Sequence, residues 1–150
     1  SFDALSFNCY ALSPDHEKMN HALEISGLQM IIGEYHFGTV DRGLAQSLWQ
    51  VNSQKERGDA FRYYTENAFA HRGLIGTGWF RWIDQNINGR TDGENYNCGF
   101  IDVTDRPYPY MVDAAIEAAK SLYEIHSGTK TPFHQAPNAV GHSPIPDLWE

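Results

Sequence analysis

A glutamate set between two glycines, in the run Gly33-Glu34-Tyr35-His36-Phe37-Gly38, closes an apolar stretch that opens Leu28-Gln29-Met30-Ile31-Ile32. Met30 and Ile32 share the parity of Glu34 and His36, so a carboxylate leaves an apolar row where a strand ends. In that position a Glu can act as a nucleophile or base, its pKa set by its neighbours. A solvated Glu at a strand end is the plainer alternative; the flanking glycines, which leave room for a ligand to approach, count against it. A second run, Trp79-Phe80-Arg81-Trp82-Ile83-Asp84-Gln85, combines rings that can stack on sugar faces with side chains that can bond hydroxyls. Tryptophans also fill cores, but the density of aromatic and polar groups here favours a site. The third run, Asn86 to Tyr96, matches the first half of an EF-hand loop through Asp84, Asn86, Asn88 and Gly89. Its twelfth position falls on Asn95, with Glu94 one place early, and no helix flanks it on both sides, so calcium is set aside. A hydroxyl-rich ligand, or turn hydrogen bonds within the loop, accounts better for these side chains.

Other chemistries find less support. Seven histidines are present, yet there is no HExxH, Glu34 and His36 are only two apart, and a catalytic zinc would want three convergent ligands. A metal-dependent hydrolase is the weakest reading, and no cofactor is called for. GxSxG, Walker and GxGxxG motifs are absent. The net charge of −8 lacks the basic face that a non-specific nucleic-acid or anionic-membrane binder needs. No apolar run approaches the roughly 20 residues of a membrane span. With 41% hydrophobic residues and 13% aromatic, the chain has ample surface to bury, against disorder. Two cysteines cannot make a disulfide framework.

Three strand-then-helix units must hold these groups in place. The first strand is expected over Phe2–Leu12, where Leu5, Phe7 and Cys9 alternate with Ala4, Ser6 and Asn8. Its helix starts with Ser13 as cap and Pro14 at the first position, and ends at Gly27. The second strand is expected over Leu28–Phe37, near-continuous in apolarity as a strand covered on both faces is. A long segment, Gly38–Arg57, precedes a helix over Gly58–Arg72. The third strand is expected over Leu74–Ile83, a second long loop over Asp84–Pro107, and a last helix over Pro109–Ser127. Repeated strand–helix order means an α/β fold with parallel strands. Both long loops then lie at the carboxyl end of the sheet, where such proteins build their sites. The Pro-rich tail, 133–150, is expected to lie on the surface.

Taken together, Gly33 to Gly38, Asp41-Arg42-Gly43, Trp79 to Gln85, Asn88 to Tyr96 and Gly99-Phe100 resemble agarase-type glycoside hydrolases, (β/α)8-barrel enzymes of the retaining clan that uses two glutamates. The resemblance covers about Phe2 to Pro132. It implies that residues 1–132 are the C-terminal part of a TIM barrel, strands six to eight with their helices. It makes Glu34 the nucleophile, Tyr10 and the neighbouring Asn8 its supports, and Trp79 the floor of a sugar subsite. His36, Trp82, Asp84, Gln85, Glu94 and Asn95 become substrate contacts, and the Trp79–Phe80 peptide is expected to be cis. The clan's acid/base Glu follows an Asn on strand four, and the chain contains no Asn-Glu pair.

That Glu is therefore expected from residues before Ser1, which reads as a cut rather than a beginning. The implied activity is double-displacement hydrolysis of β-galactosidic linkages in an agarose-like galactan, in a secreted or periplasmic protein. Its partners would be the galactan and the N-terminal half of the same barrel. A non-catalytic carbohydrate-binding α/β module is the alternative. Glu34 is expected to face a pocket shared with Trp79 and Asp84. Ala4, Ser6, Met30, Ile32, Gly76 and Gly78 are expected to form the row facing the missing wall.

Overall fold

The computed structural model describes residues 2–142, and its helices and strands alternate as the sequence predicts. In chain order the elements are β1 (Ala4–Asn8), α1 (His16–Ser26), β2 (Gln29–Tyr35), β3 (Trp49–Gln50), α2 (Gln54–Phe69), β4 (Leu74–Trp79), α3 (Pro109–His126) and β5 (Val140–Gly141). The main sheet is parallel and three-stranded, in the spatial order β1-β2-β4. One face of it is covered. Met30, Ile32, Tyr35 and Leu74 pack there with Ala60, Phe61, Tyr64 and Ala68 of α2 and with Met111, Ala114 and Ala118 of α3.

Element ends follow local capping chemistry. Helix α1 begins after Asp15, whose carboxylate accepts the Glu17 and Lys18 N–H groups, so Asp15 rather than Ser13 is the cap. Gly27, at φ +66°, closes it by returning its N–H to the Leu23 carbonyl, the left-handed stop expected there. Helix α2 starts four residues before Gly58. Ser53 accepts the Glu56 N–H, and the Glu56 carboxylate reaches back to the Asn52 N–H, so two otherwise bare donors are satisfied. The first long segment is not all loop. Trp49 and Gln50 pair antiparallel with Gly141 and Val140, which ties part of the tail to the body.

The faces of β2 are assigned differently from the simple alternation. Between β1 and β2 the register slips at Phe7/Asn8, so that Phe7 pairs Ile32 but Asn8 pairs Glu34. Gly33 is the extra residue of a bulge, and the buried row runs Met30, Ile32, Tyr35. Glu34 therefore does not share a face with Met30 and Ile32, and those two do not face a missing wall. A second slip, between Met30 and Ile31, pairs Ile31 with Gly76. The uncovered face is built instead from Ser6 and Asn8, which crowd Gly33, and from Ile31, against which Gly76 sits. Among the described residues, the sheet is covered on one side only.

Helices α2 and α3 meet at Gly58, where an added Cβ would lie 2.5 Å from the Tyr110 carbonyl oxygen. On an exposed helix, Gly→Ala stabilises by about 1 kcal/mol. Here overpacking, at about 1–3 kcal/mol, outweighs that gain. Gly58→Ala is expected to lower the thermal midpoint measured by calorimetry; a raised midpoint would show that α3 can yield.

Candidate active site

The bulge turns the Glu34 side chain off the packed row at the carboxyl end of β2. The Tyr10 hydroxyl donates to Glu34 Oε2 at 2.7 Å. Burial and the adjacent carboxylate push the Tyr10 hydroxyl well above its ordinary pKa, so it remains a donor throughout the neutral range. Cys9 N–H donates to the Glu34 carbonyl at 2.9 Å, which fastens the same residue by its backbone. Asn8 is exposed, and its side-chain oxygen crowds Gly33, next to Glu34. Glu34, Tyr10 and Asn8 thus share one corner of the sheet.

Trp79 pairs across the ladder with Tyr35, the residue after Glu34. Its indole N–H donates to the Cys98 carbonyl at 2.7 Å. Tyr35, Phe61 and Phe100 meet the ring edge-on at 5.2, 5.4 and 5.9 Å, so its plane is held on several sides. Gly78, just before it, lies so close to the Gly33 carbonyl that any side chain would collide with that backbone. Trp82 differs from Trp79: it is 67% exposed and stacks on Phe100 at 5.8 Å. The cis peptide lies one bond later than expected, at Phe80–Arg81 rather than Trp79–Phe80.

Three expected sugar contacts are buried instead. His36 is 1% exposed, and its Nε2 accepts the Leu48 N–H at 3.1 Å. Its ring lies edge-on to Tyr10 at 4.9 Å and to Tyr96 at 5.8 Å. Asp84 is 5% exposed, with Oδ1 taking the Gly99 N–H and Oδ2 taking the Asn97 amide and the Tyr108 hydroxyl. Three donors on one carboxylate leave it little capacity for a ligand, so Asp84 does not open into a pocket beside Glu34. Gln85 is fully buried and spans the loop, donating to Glu94 at 2.7 Å and accepting the Tyr96 N–H at 2.6 Å. Glu94 and Asn95 are partly exposed. Arg90 lies 3.5 Å from Glu94, and the Asn95 side chain accepts the Ala45 N–H, joining the two long loops.

Beneath these loops lies a polar knot that sequence reasoning did not identify. Arg57 is fully buried, donates to the Asn97 carbonyl at 3.0 Å and sits 4.4 Å over the Tyr108 ring. Gln54 donates to Asn97 Oδ1 at 2.7 Å. Burial pushes the Arg57 pKa down, and the Asp84 charge opposes that shift. Only the types of Arg57 and Tyr108 could have drawn notice, because their partners lie far along the chain. Among the described residues no three His, Cys, Asp or Glu side chains converge as metal ligands.

No family model matches the sequence. The chain is 38% identical over 128 residues to beta-agarase A of Vibrio sp. (strain JT0107), a match covering 81% of this chain and 13% of that protein. Beta-agarase B of the same strain is 36% identical over the same shares. A solved structure described as an exo-beta-agarase superposes with a TM-score of 0.78 at 37% identity, covering 83% of this chain and 17% of its own. The chain is thus similar to agarase-type glycoside hydrolases over about four-fifths of its length, and it spans less than a fifth of each of these three relatives.

Burial lowers the His36 pKa from 6.5 to about 3, which the nearby Arg57 charge reinforces and the Phe80 backbone opposes. An unfolded His binds a proton near 6.5, so between these values the unfolded state holds more protons. The contribution is full above pH 6.5 and is lost as pH falls toward 3, at up to about 1.4 kcal/mol per unit. Urea midpoints at pH 7, 5 and 4 are expected to fall more steeply for the native protein than for His36→Gln. Parallel lines would show that His36 takes up its proton normally.

Proposed function

We propose that the chain is the C-terminal part of a (β/α)8 catalytic barrel in a retaining β-glycosidase acting on an agarose-like galactan, with Glu34 as nucleophile. The observation that carries this reading is the 2.7 Å bond from Tyr10 to Glu34 Oε2 at the carboxyl end of a parallel strand. The similarity to beta-agarases supports the substrate class. In this reading β1, β2 and β4 are barrel strands six, seven and eight. Their uncovered face, with Ser6, Asn8, Ile31 and Gly76, looks into the barrel. Residues 133–142 are a tail outside the barrel, its segment 140–141 paired with β3, and the rest of the expected tail, 143–150, lies outside the described residues.

In the first step Glu34 attacks the anomeric carbon through an oxocarbenium-like transition state and forms a glycosyl-enzyme. A second carboxyl, about 5–5.5 Å from it, protonates the leaving oxygen and then activates water. That carboxyl is assigned to a segment outside this chain, the N-terminal half of the same barrel, because no Asn-Glu pair occurs here. Tyr10 keeps its proton and donates it in a hydrogen bond to Glu34 Oε2, which fixes the direction in which the carboxylate faces the anomeric carbon. Trp79, its indole fixed by the Cys98 carbonyl, supplies a rigid apolar floor for a sugar ring. Trp82, Glu94 and Asn95 lie at the open rim, where they reach flanking sugars. His36, Asp84 and Gln85 serve as supports beneath that surface rather than as contacts.

Glu34→Gln in the full-length protein is expected to lower the hydrolysis rate on agarose oligosaccharides by about 10³-fold or more while leaving their binding largely intact. Proton NMR of the first product should show the β anomer. Unchanged turnover in Glu34→Gln removes the nucleophile assignment, and binding with no turnover by the native protein favours a carbohydrate-binding module.

A further inference from the structure

The strand that bears Tyr10 ends two residues before it. Cys9 and Tyr10 lie beyond Asn8, the last residue of β1, and two side chains from other parts of the chain donate to their carbonyls. The Tyr64 hydroxyl, from α2, donates to the Cys9 carbonyl at 2.7 Å. The Trp49 indole N–H, from β3, donates to the Tyr10 carbonyl at 2.7 Å. Both donors are themselves anchored. Tyr64 is fully buried and stacked on Tyr35 at 4.1 Å and 10°. The Trp49 indole lies edge-on to Phe37 and is backed by β5, where a Cβ on Gly141 would come within 3.0 Å of it.

We propose that Trp49 and Tyr64 are positioning residues for the Tyr10–Glu34 pair, setting by two backbone hydrogen bonds where the Tyr10 hydroxyl can reach the carboxylate. The proposal rests on the reading of Glu34 as nucleophile and goes beyond it, since neither donor touches the carboxylate. The Cys9 N–H still bonds the Glu34 carbonyl of β2, but the Cys9 and Tyr10 carbonyls lie past the end of β1 and accept from side chains instead, so those donors set where the peptides point. Two donors on successive carbonyls fix both peptide planes around Tyr10, and so the direction of its ring. The first long segment thereby acts on the site from outside it: β3 supplies the indole, and Leu48 holds His36 against the Tyr10 ring. Glu34, Glu94, Cys98, neutral His36 and Tyr64 itself are the titratable groups around Tyr10; Trp49→Phe alters none of them, and Tyr64→Phe removes only the Tyr64 hydroxyl.

The test is the pH dependence of kcat/KM on an agarose oligosaccharide, using the full-length protein. The acid limb reports ionisation of the nucleophile. Tyr10→Phe sets the scale by raising that limb. Trp49→Phe keeps an aromatic ring but loses the N–H. It is expected to raise the limb by about half a unit or more and to lower kcat about three- to tenfold, with KM little changed. In a Tyr10→Phe background, Trp49→Phe should add no further shift. Tyr64→Phe is expected to behave in the same way, and it carries the test by the same criteria if Trp49→Phe does not fold. If Tyr10→Phe moves the limb and neither donor variant does, or if their shifts persist without Tyr10, the positioning role is overturned and the nucleophile stands. An unmoved limb in Tyr10→Phe overturns the role of the Tyr10–Glu34 pair, and this inference with it.

Discussion

The slip in register between β1 and β2 is the constraint on which the rest of the site depends. A strand alternates its side chains with a period of two, so one inserted residue sends everything after it to the opposite face. With Gly33 inserted, Tyr35 rather than Glu34 continues the buried row of Met30 and Ile32. A carboxylate in that row would lie among Phe61, Tyr64 and Leu74, where an unpaired charge is costly. The bulge avoids that cost and turns Glu34 to the side where Tyr10 can meet it. A Cβ at Gly33 would meet Asn8 Oδ1 at 2.9 Å and Ser6 Oγ at 3.1 Å, side-chain ends that any larger residue there would have to displace.

Rigidity of the loops above the sheet comes from buried polar groups rather than from apolar packing. Asn97 is the centre: its amide donates to Asp84, its side-chain oxygen accepts from Gln54, and its carbonyl accepts from Arg57. Three separate stretches of chain, α2, the residues after β4 and the start of α3, are thus joined through one residue. The segment beyond it carries the Cys98 carbonyl that orients Trp79 and the Gly99 N–H that binds Asp84. Low local dielectric strengthens each of these bonds, although Gln54 Oε1 and Arg57 Nε and Nη2 find no partner among the described residues. The guanidinium gains further from the Tyr108 ring face, an attraction that grows when water is excluded.

An aromatic chain links the core to the rim. Tyr64 stacks on Tyr35, Tyr35 meets Trp79, Trp79 meets Phe100, and Phe100 stacks under Trp82. Such rings lose little conformational entropy on ordering and bury large areas, so each fixes the next without a hydrogen bond. At the buried end the chain stabilises the fold. At its exposed end it leaves Trp82 two-thirds in water yet backed by a ring that is itself held.

Much of the architecture was legible in the residues alone. The parallel strand–helix order, the last helix from Pro109, the left-handed stop at Gly27 and the carboxylate at the end of the central strand all follow from periods and end signals within about twenty residues. The resemblance to agarase-type enzymes was likewise carried by contiguous runs, and similarity to beta-agarases accompanies it. Other features left no such trace. Simple alternation put Glu34 in the wrong row, because a bulge obeys packing between strands rather than the pattern within one. Asp84, Gln85 and His36 read as ligand contacts by type, yet Asp84, Gln85 and His36 Nε2 are bonded to groups brought in by the fold. The bonds of Trp49, Tyr64, Arg57 and Tyr108 left no trace because their partners lie 11 to 55 residues away. A sequence determines which groups can be buried and where the chain can turn, since both are short-range preferences. Which donor meets which acceptor across the core is decided only when the elements pack, because a buried polar group must accept whatever partner the finished fold brings within reach.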